Sequence, residues 1–399
     1  MRPCSIRALA AVAVAAAFVS LIPACGGGGG GGPDPSAQQA FPFPVTQRAS
    51  GLVVPWGMAF LPDGRLLVTE RLGRMQLFDV SGQSLGAISG VPPVLSSGQG
   101  GLLDVVLDPA FASNRRIYFS FAEADPANPA LNGTAVGRAV LDPDARALSG
   151  VTVIWRQLPK VASSAHFGSR LVFDRSGHLF VTLGDRLLDG ERGFAQDPTR
   201  GHGKVMRITT DGAPAPGNPA WGVAGALPEV WTLGHRNVQG AALHPSTGEL
   251  WTSEHGAQGG DEINRLRAGA NYGWPLASRS QEYETLTPVG PASLPGMEDP
   301  LWVWETITGS PWTGGAKSSI APAGIAFYTG SAMPQWQGNL FVTALAGRAL
   351  WRLTLDGDRV TSQERLLAQL NERLRDVEVG PDGALYLLAE SGRVLRFGP

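Results

Sequence analysis

This sequence has few cysteines and few charged residues, which argues against a disulfide-stabilised fold and against nucleic acid as a partner. Of its 399 residues only Cys4 and Cys25 are cysteines, so the chain beyond residue 25 cannot be held together by disulfides. Charged residues make up 17% of the chain and the formal net charge is −2. Without a basic field, nucleic acid is not an expected partner.

Two further patterns are missing. No stretch carries a long apolar rhythm with a period of 3.6 residues, which argues against an α/β fold. No Gly-rich coenzyme-binding βαβ fingerprint is present, which argues against a nicotinamide cofactor. What the chain does have is turn formers, 53 glycines and 31 prolines, so we expect many turns and few long helices.

The N-terminus predicts export. Arg2 and Arg7 flank the start of an apolar stretch at 8–22 that is too short to span a bilayer comfortably. It ends Leu-Ile-Pro-Ala-Cys, which resembles a bacterial lipoprotein signal with Cys25 lipidated, although Pro23 is unusual there and leaves cleavage by a general signal peptidase open. We expect a signal peptide at 1–24 and a Gly-rich flexible tether at 25–41. The protein would then lie at the periplasmic face of a bacterial cell envelope, touching the membrane only through lipid on Cys25.

From about residue 42 the chain repeats one theme, an apolar strand, a turn with Pro, Asp or Gly, and a second apolar strand. Six copies occur at 58–69, 104–120, 170–183, 240–253, 324–344 and 376–388. Such repetition predicts an all-β fold, a six-bladed β-propeller over 42–399, with a binding site in the loops at one end of the central channel. Because the spacing is irregular, a β-sandwich with insertions is the alternative.

The most informative segment runs from Glu254 to Asn264, with Ala-Gly-Ala-Asn-Tyr-Gly-Trp-Pro following at 268–275. Three glycines within five residues permit close approach of the backbone to a bound group. Glu254, Asp261, Glu262, the carbonyl groups and Tyr272 offer oxygen ligands of the kind that Ca²⁺ prefers. The alternative is an ordinary Gly-rich turn between strands.

Several polar residues stand at strand ends. His166 precedes a strand and could accept a proton near neutral pH, and Asp185 ends the same hairpin and could orient its ring. Arg236 and Asn237 offer fixed donors to a developing oxyanion, whereas Arg373 and Arg375 lie on one face of a strand and suit ligand carboxylates. Each of these residues has a structural alternative. His166 could be a surface or hydrogen-bonded structural histidine, and Arg236 and Asn237 could link two blades. Arg373 and Arg375 could keep a sheet edge soluble.

Taken in order, the motifs resemble one family. They are Gly98-Gln-Gly-Gly-Leu-Leu103, His166-Phe-Gly-Ser-Arg170, Gly184-Asp185, Gly201-His-Gly-Lys204, Gly234-His-Arg-Asn237, the 254–264 run and Arg373-Leu-Arg-Asp376. This set resembles the soluble aldose sugar dehydrogenases that use pyrroloquinoline quinone, the glucose/sorbosone dehydrogenase family of six-bladed propellers. The resemblance implies a quinoprotein that oxidises the anomeric carbon of aldose sugars to lactones by hydride transfer to the quinone.

The resemblance also implies roles for individual residues. His166 would be the general base, Asp185 its partner, and Arg236 would stabilise the developing oxyanion. The residues implied to line the cofactor are Gln99, Arg236, Asn237, Arg373 and Arg375. The carbonyl groups of Gly256 and Ala257 would hold a Ca²⁺ against the cofactor, and Glu262 and Tyr272 would be ligands of a second, structural Ca²⁺.

One departure from the family pattern keeps other functions open. Where relatives carry a lysine that contacts the cofactor, this chain has Ala346, and Lys317 is either a substitute or a solvated loop residue. The alternatives to a dehydrogenase are a Ca²⁺-dependent propeller hydrolase of the lactonase type and an envelope lipoprotein binding module without catalysis. The sequence names neither the preferred sugar, nor the electron acceptor, nor the oligomeric state.

Overall fold

The computed structural model describes residues 42–307 and 314–399. It forms six four-stranded antiparallel sheets, which confirms the predicted all-β, six-bladed propeller and excludes the β-sandwich. No helix within the described ranges is long and apolar enough to cross a membrane. The predicted signal peptide, the tether and the lipidation of Cys25 lie outside the described residues.

Five blades are built from consecutive strands, whose bounds follow in chain order. Blade 1 contains β2 (Pro55–Phe60), β3 (Leu66–Glu70), β4 (Arg74–Phe78) and β5 (Ser84–Ala87). Blade 2 contains β6 (Leu102–Leu107), β7 (Arg116–Ala124), β8 (Asn132–Leu141) and β9 (Leu148–Arg156). Blade 3 contains β10 (Leu171–Phe173), β11 (Leu179–Thr182), β12 (Lys204–Ile208) and β13 (Val230–Leu233). Blade 4 contains β14 (Val238–Leu243), β15 (Leu250–Glu254), β16 (Asp261–Leu266) and β17 (Trp302–Trp304). Blade 5 contains β18 (Pro322–Phe327), β19 (Leu340–Ala344), β20 (Ala349–Asp356) and β21 (Arg359–Leu366).

The sixth blade closes the ring because it joins the two ends of the described chain. It contains β22 (Leu374–Val379), β23 (Leu385–Ala389) and β24 (Arg393–Phe397), and its outer strand is β1 (Val45–Ala49) from the N-terminal side. Helical segments are short: an α-helix at Phe111–Asn114 and 3₁₀ segments at Asp189–Gln196, Pro334–Trp336 and Ala368–Leu370. Each of the six sequence repeats corresponds to the first two strands of one blade.

The apolar core is divided into layers, one between each pair of neighbouring blades. Hydroxyl groups also join the blades near the channel. The second strands of five blades carry Thr69, Ser120, Thr182, Ser253 and Thr343. Ser120 donates to the Ser169 carbonyl oxygen of the next blade at 2.7 Å, and Ser253 donates to that of Ala323 at 2.7 Å. These bonds hold the inner strands in place at the site they surround.

A buried charge cluster lies among the first strands of blades 2, 3 and 6. Arg170 contacts Asp104 at 3.1 Å and Asp376 at 2.9 Å, and all three side chains are buried. Glycines at equivalent positions of other inner strands leave the room, since a Cβ on Gly57 would lie 2.7 Å from Asp104 Oδ1 and one on Gly324 would lie 2.2 Å from Asp376 Oδ1. The first strands of these blades therefore meet around a buried charge cluster.

Candidate active site

Most of the residues predicted to carry chemistry lie in loops at one end of the blades, and Arg375 and Glu262 lie at the starts of strands β22 and β16. In an antiparallel sheet the loop that leaves a second strand and the loop that enters a first strand are at the same end. Gln99, His166, Arg236 and Arg373 lie in loops that enter first strands, and Asp185 lies in a loop that leaves a second strand. The propeller thus gathers residues that are far apart in the sequence.

His166 and Asp185 form a buried pair, as predicted. His166 Nδ1 lies 2.7 Å from Asp185 Oδ1, and the two residues are only 5% and 2% exposed. His166 has a left-handed backbone conformation with φ +47°, and its amide N–H donates to Gln99 Oε1 at 2.8 Å. His166 Nε2 has no hydrogen-bond partner in the part of the chain that the structure describes, so one ring nitrogen is held and the other is available.

The charge states of the pair suit proton transfer. Burial lowers the pKa of His166, which the hydrogen bond to Asp185 partly offsets and the positive charge of Arg236 reinforces. Burial alone would raise the pKa of Asp185, but the hydrogen bond with His166 and nearby positive charges hold that pKa below its usual range. At neutral pH the imidazole is therefore neutral and the carboxylate is ionised, as a general base and its partner require.

A cavity of about 370 Å³ opens next to this pair, a size typical of small-molecule sites. Phe167 and Gly168, the residues that follow His166, form part of its wall. Of the predicted cofactor residues, the cavity is lined by Gln99, Asn237, Arg373 and Arg375. These four predicted residues therefore share one cavity.

Positive charge dominates this cavity. Arg71, Arg373 and Arg375 line it, against the single carboxylate of Glu390. Glu390 accepts from Arg373 at 2.6 Å and from Arg375 at 2.5 Å, and the Arg375 guanidinium also donates to Gln239 Oε1 at 3.0 Å. Arg375 Nε is buried without a partner among the described residues. The cavity thus has a surplus of donors suited to a polyanionic ligand.

Arg236 faces a different space from the one predicted. Its guanidinium donates to the carbonyl oxygens of His255, at 3.3 Å, and Gly256, and to the Tyr283 hydroxyl at 3.0 Å. Arg236 is not among the residues that line the 370 Å³ cavity. It remains electrostatically coupled to the base, since it lowers the pKa of His166.

A second, much smaller cavity of about 30 Å³ brings together Arg236, Gly256, Glu262 and Tyr272. That volume is enough to hold a water molecule or an ion. The two separate Ca²⁺ positions implied by the family resemblance thus draw on residues that share one cavity here. Ala257 packs instead against Ala195 and Trp274.

The two glutamates at the small cavity, Glu254 and Glu262, differ in their hydrogen bonds and charge environment. Glu254 accepts from His235 Nδ1 at 2.9 Å and from the Arg236 amide. Burial, reinforced by the negative charge of Glu254, raises the pKa of Glu262 to about 8. No cluster of three His, Cys, Asp or Glu side chains placed to hold a metal occurs within 42–307 and 314–399.

Lys317 fits neither interpretation suggested by the sequence. It is buried, and its ammonium group donates to the Arg279 carbonyl oxygen at 2.6 Å and pairs with Glu305 at 3.1 Å. It does not line the 370 Å³ cavity, and neither does Ala346, although the preceding residue, Leu345, does. Lys317 is therefore a structural link between loops and not a solvated lysine.

Several residues that line the 370 Å³ cavity were not identified from the sequence. Trp56, Arg71, Gln239 and Glu390 all line the large cavity. Arg71 and Glu390 stand directly after the second strands of their blades, as Asp185 stands shortly after the second strand of blade 3. Alignment of the six repeats against one another would have found them.

Comparison with known proteins identifies the family. The sequence profile described as Glucose / Sorbosone dehydrogenase matches residues 52–396, which include every site residue discussed above. The chain belongs to the glucose/sorbosone dehydrogenase family. Within this family it is 41% identical over 351 residues to aldose sugar dehydrogenase YliI of Escherichia coli (strain K12), covering 86% of this chain and 90% of that protein.

Two solved structures of sugar dehydrogenases share the fold. The apo-form crystal structure of the soluble aldose sugar dehydrogenase from Escherichia coli has a TM-score of 0.82 at 39% identity, covering 89% of this chain and 99% of the other. The structure of the PQQ-bound form of aldose sugar dehydrogenase from Streptomyces coelicolor has a TM-score of 0.69 at 30% identity, covering 90% and 99%. The glucose/sorbosone dehydrogenase propeller therefore accounts for the described chain as a whole.

Proposed function

We propose that this protein is a quinoprotein sugar dehydrogenase that oxidises the anomeric carbon of aldoses to lactones with pyrroloquinoline quinone and Ca²⁺. Family membership and the aldose sugar dehydrogenases among its relatives support an oxidoreductase acting on sugars. The quinone is supported by the PQQ-bound Streptomyces coelicolor relative. The observation that carries the proposal is the buried His166–Asp185 pair beside an arginine-lined cavity.

The cavity fits the quinone by charge and by size. Pyrroloquinoline quinone is a planar tricarboxylate, and three arginines line a cavity of about 370 Å³. Arg373 and Arg375 would bind its carboxylates, and the Arg375 Nε, which is buried without a partner among the described residues, would be an available donor. Gln99 and Asn237 would contact its polar edge. When bound, the quinone supplies the two-electron acceptor for the hydrogen at the sugar's C1.

The protein's own contribution is to move a proton and to place charge. His166 Nε2 accepts the proton of the anomeric hydroxyl, because Nδ1 is committed to Asp185. Asp185 stabilises the positive ring that results. Arg236, already within electrostatic reach of His166, opposes build-up of positive charge on the ring and favours negative charge nearby.

The small cavity would hold a cation. Glu262 would supply a hard carboxylate ligand, whereas the Gly256 carbonyl already accepts from Arg236 and the Tyr272 hydroxyl donates to the Arg265 carbonyl at 2.6 Å. Asn264 donates to Glu262 at 2.9 Å, and its own Oδ1 is buried without a partner in the described chain. A bound cation would supply a counter-charge to Glu262, whose pKa is raised by burial and further by the negative charge of Glu254.

Calcium addition should therefore stabilise the folded protein. We expect the melting temperature of chelator-treated protein to rise by several degrees on addition of millimolar Ca²⁺, because a ligand that binds only the native state stabilises it. The measurement is differential scanning calorimetry, and Glu262→Gln is the variant expected to lose most of the increase. An unchanged melting temperature in wild-type protein would contradict the cation site.

Substitution of Arg375 should weaken quinone binding. Loss of a charge-assisted hydrogen bond of about 1.5–3 kcal/mol predicts an affinity about 10- to 150-fold lower in Arg375→Leu. Fluorescence titration with the quinone measures this directly. Arg396→Leu is the matched control, because Arg396 lies in the same blade and pairs with Asp382 at 2.7 Å without lining the cavity. Equal affinities in all three proteins would refute the assignment.

Reconstitution tests the whole proposal. Purified protein should oxidise aldoses in a dye-linked assay only after addition of the quinone and Ca²⁺. Lactone hydrolysis without quinone would favour the Ca²⁺-dependent hydrolase. Failure to bind the quinone at micromolar concentration would favour a binding module in which Ala346 marks a lost site.

A further inference from the structure

Trp274, in the 268–275 run, has no role in the proposed function described above, yet its side chain contacts Asp185, the partner of the general base. The Trp274 indole Nε1–H donates to Asp185 Oδ2 at 2.9 Å. The other carboxylate oxygen, Oδ1, receives His166 Nδ1 at 2.7 Å and the Leu187 amide at 2.9 Å. Among the described residues, Trp274 is thus the side chain that binds the carboxylate oxygen not bonded to His166.

The same ring also supports Arg236. The Arg236 guanidinium carbon lies 5.3 Å from the centroid of the Trp274 ring, and Trp274 is only 5% exposed. Its backbone is fixed as well, since its N–H donates to the Gly234 carbonyl oxygen at 2.9 Å and its carbonyl accepts from Gln196 at 2.7 Å. The Trp274 indole therefore contacts both Asp185, the partner of the general base, and Arg236.

We propose that Trp274 is a positioning residue for the dehydrogenase reaction, whose indole N–H fixes the Asp185 carboxylate and thereby holds His166 in the tautomer with its proton on Nδ1. A buried carboxylate oxygen without a donor would turn toward another partner or take up a proton. Either change weakens the acceptor that orders the imidazole. With Nδ1 protonated, Nε2 stays free to accept the sugar's proton, so this role rests on the proposed function.

Other groups near the pair do not replace the indole. The charged or titratable side chains that influence His166 or Asp185 are Arg186, His202, Arg236 and His255. Arg186 is committed to the Ala165 carbonyl oxygen at 2.8 Å and the Ser163 carbonyl oxygen at 2.7 Å. The His255 ring Nε2–H donates to the Pro322 carbonyl oxygen at 2.7 Å, because a carbonyl oxygen can only accept. None of these hydrogen bonds reaches Asp185 Oδ2.

The test compares Trp274→Phe, which removes the N–H and keeps an aromatic ring, with Trp251→Phe. Trp251 is a fully buried indole in blade 4 whose N–H has no partner in the described chain, so its substitution controls for ring size alone. ¹⁵N spectra of protein labelled at the histidine ring nitrogens report the His166 tautomer, and His166→Ala assigns the signals. No quinone or sugar is needed for this measurement.

We expect wild-type protein and Trp251→Phe to show the Nδ1–H tautomer of His166, and Trp274→Phe to show a mixture. In the reconstituted enzyme, kcat of Trp274→Phe should fall about 10- to 150-fold with KM nearly unchanged, the loss expected for one hydrogen bond to a charged group. Trp274→His keeps an N–H donor, so it should restore much of the Nδ1–H tautomer and much of the lost kcat. In protein that already carries Asp185→Asn, adding Trp274→Phe should cause no further loss of kcat, because the effects of substitutions at two coupled residues do not add.

The proposal is overturned if Trp274→Phe keeps the wild-type tautomer, if Trp274→His is as impaired as Trp274→Phe, or if the losses multiply in the Trp274→Phe/Asp185→Asn variant. Should Trp274→Phe not fold, Trp274→Leu takes its place in the same comparison with Trp274→His. A wild-type protein with the expected tautomer but no sugar oxidation would refute the proposed function and leave the Trp274–Asp185–His166 arrangement standing.

Discussion

Replacement of His166 with alanine should lower aldose oxidation by about 10²- to 10⁴-fold, the usual cost of losing a general base. The reason is that His166 is the imidazole held by Asp185 at 2.7 Å, with its second nitrogen free and its pKa lowered by burial. Quinone affinity should change little, because Arg373, Arg375 and Asn237 line the cavity and His166 does not. The measurements are kcat in the dye-linked assay and quinone binding by fluorescence.

A histidine outside the site provides the control for this substitution. His244 lies in the turn between the first two strands of blade 4, at the other end of the blade from the site loops, and contacts Thr247 at 3.2 Å. His244→Ala should retain wild-type activity. Wild-type turnover in His166→Ala would mean that another group takes the proton and that the His166–Asp185 pair is structural.

The second large effect is on stability. Substitution of Arg170 with leucine should lower the free energy of unfolding by about 3–5 kcal/mol at pH 8, because it leaves buried charges without their partner. Arg170 lies between Asp104 at 3.1 Å and Asp376 at 2.9 Å, and all three residues are buried. Urea denaturation measures the difference. Arg359→Leu, which removes an exposed ion pair with Asp356, should cost less than about 1 kcal/mol.

This destabilisation should shrink as the pH falls. Burial raises the pKa of Asp376 to about 6 even with Arg170 present, and burial also raises the pKa of Asp104. In the variant both should rise further, so between pH 8 and pH 5 the folded protein takes up protons that the unfolded chain does not. Proton uptake on folding means that stability rises as the pH falls. A gap between variant and wild type that stays constant from pH 8 to pH 5 would contradict this account.

The fold was predictable from the sequence because each blade repeats the same local pattern. The copies at 58–69 and 376–388 have different residues but the same apolar strand, turn and apolar strand, and both form the first hairpin of a blade. What the pattern could not show is that the last blade takes its outer strand, Val45–Ala49, from the other end of the chain. That pairing depends on ring closure and leaves no local signal.

Only some contacts of the site were predictable from the sequence. Whether a contact was predictable depends on how far apart its residues are along the chain. His166 and Asp185 are 19 residues apart on one hairpin, so their contact follows from local geometry. Trp274 reaches Asp185 across 89 residues, and Arg375 reaches Gln239 across 136, so these contacts depend on how blades are arranged around the channel. The guanidinium of Arg236 binds carbonyl groups instead of lining the large cavity, a side-chain choice that sequence spacing cannot specify.

The central claim is that this propeller oxidises an aldose with a bound quinone, and a single turnover tests it most directly. Protein loaded with Ca²⁺ and one equivalent of pyrroloquinoline quinone is mixed anaerobically with an aldose, without any dye. The quinone absorbance and the lactone formed are measured together. We predict one lactone for each quinone reduced, within seconds in wild-type protein and at least about 10²-fold more slowly in His166→Ala. Unchanged quinone absorbance with no lactone would contradict the claim.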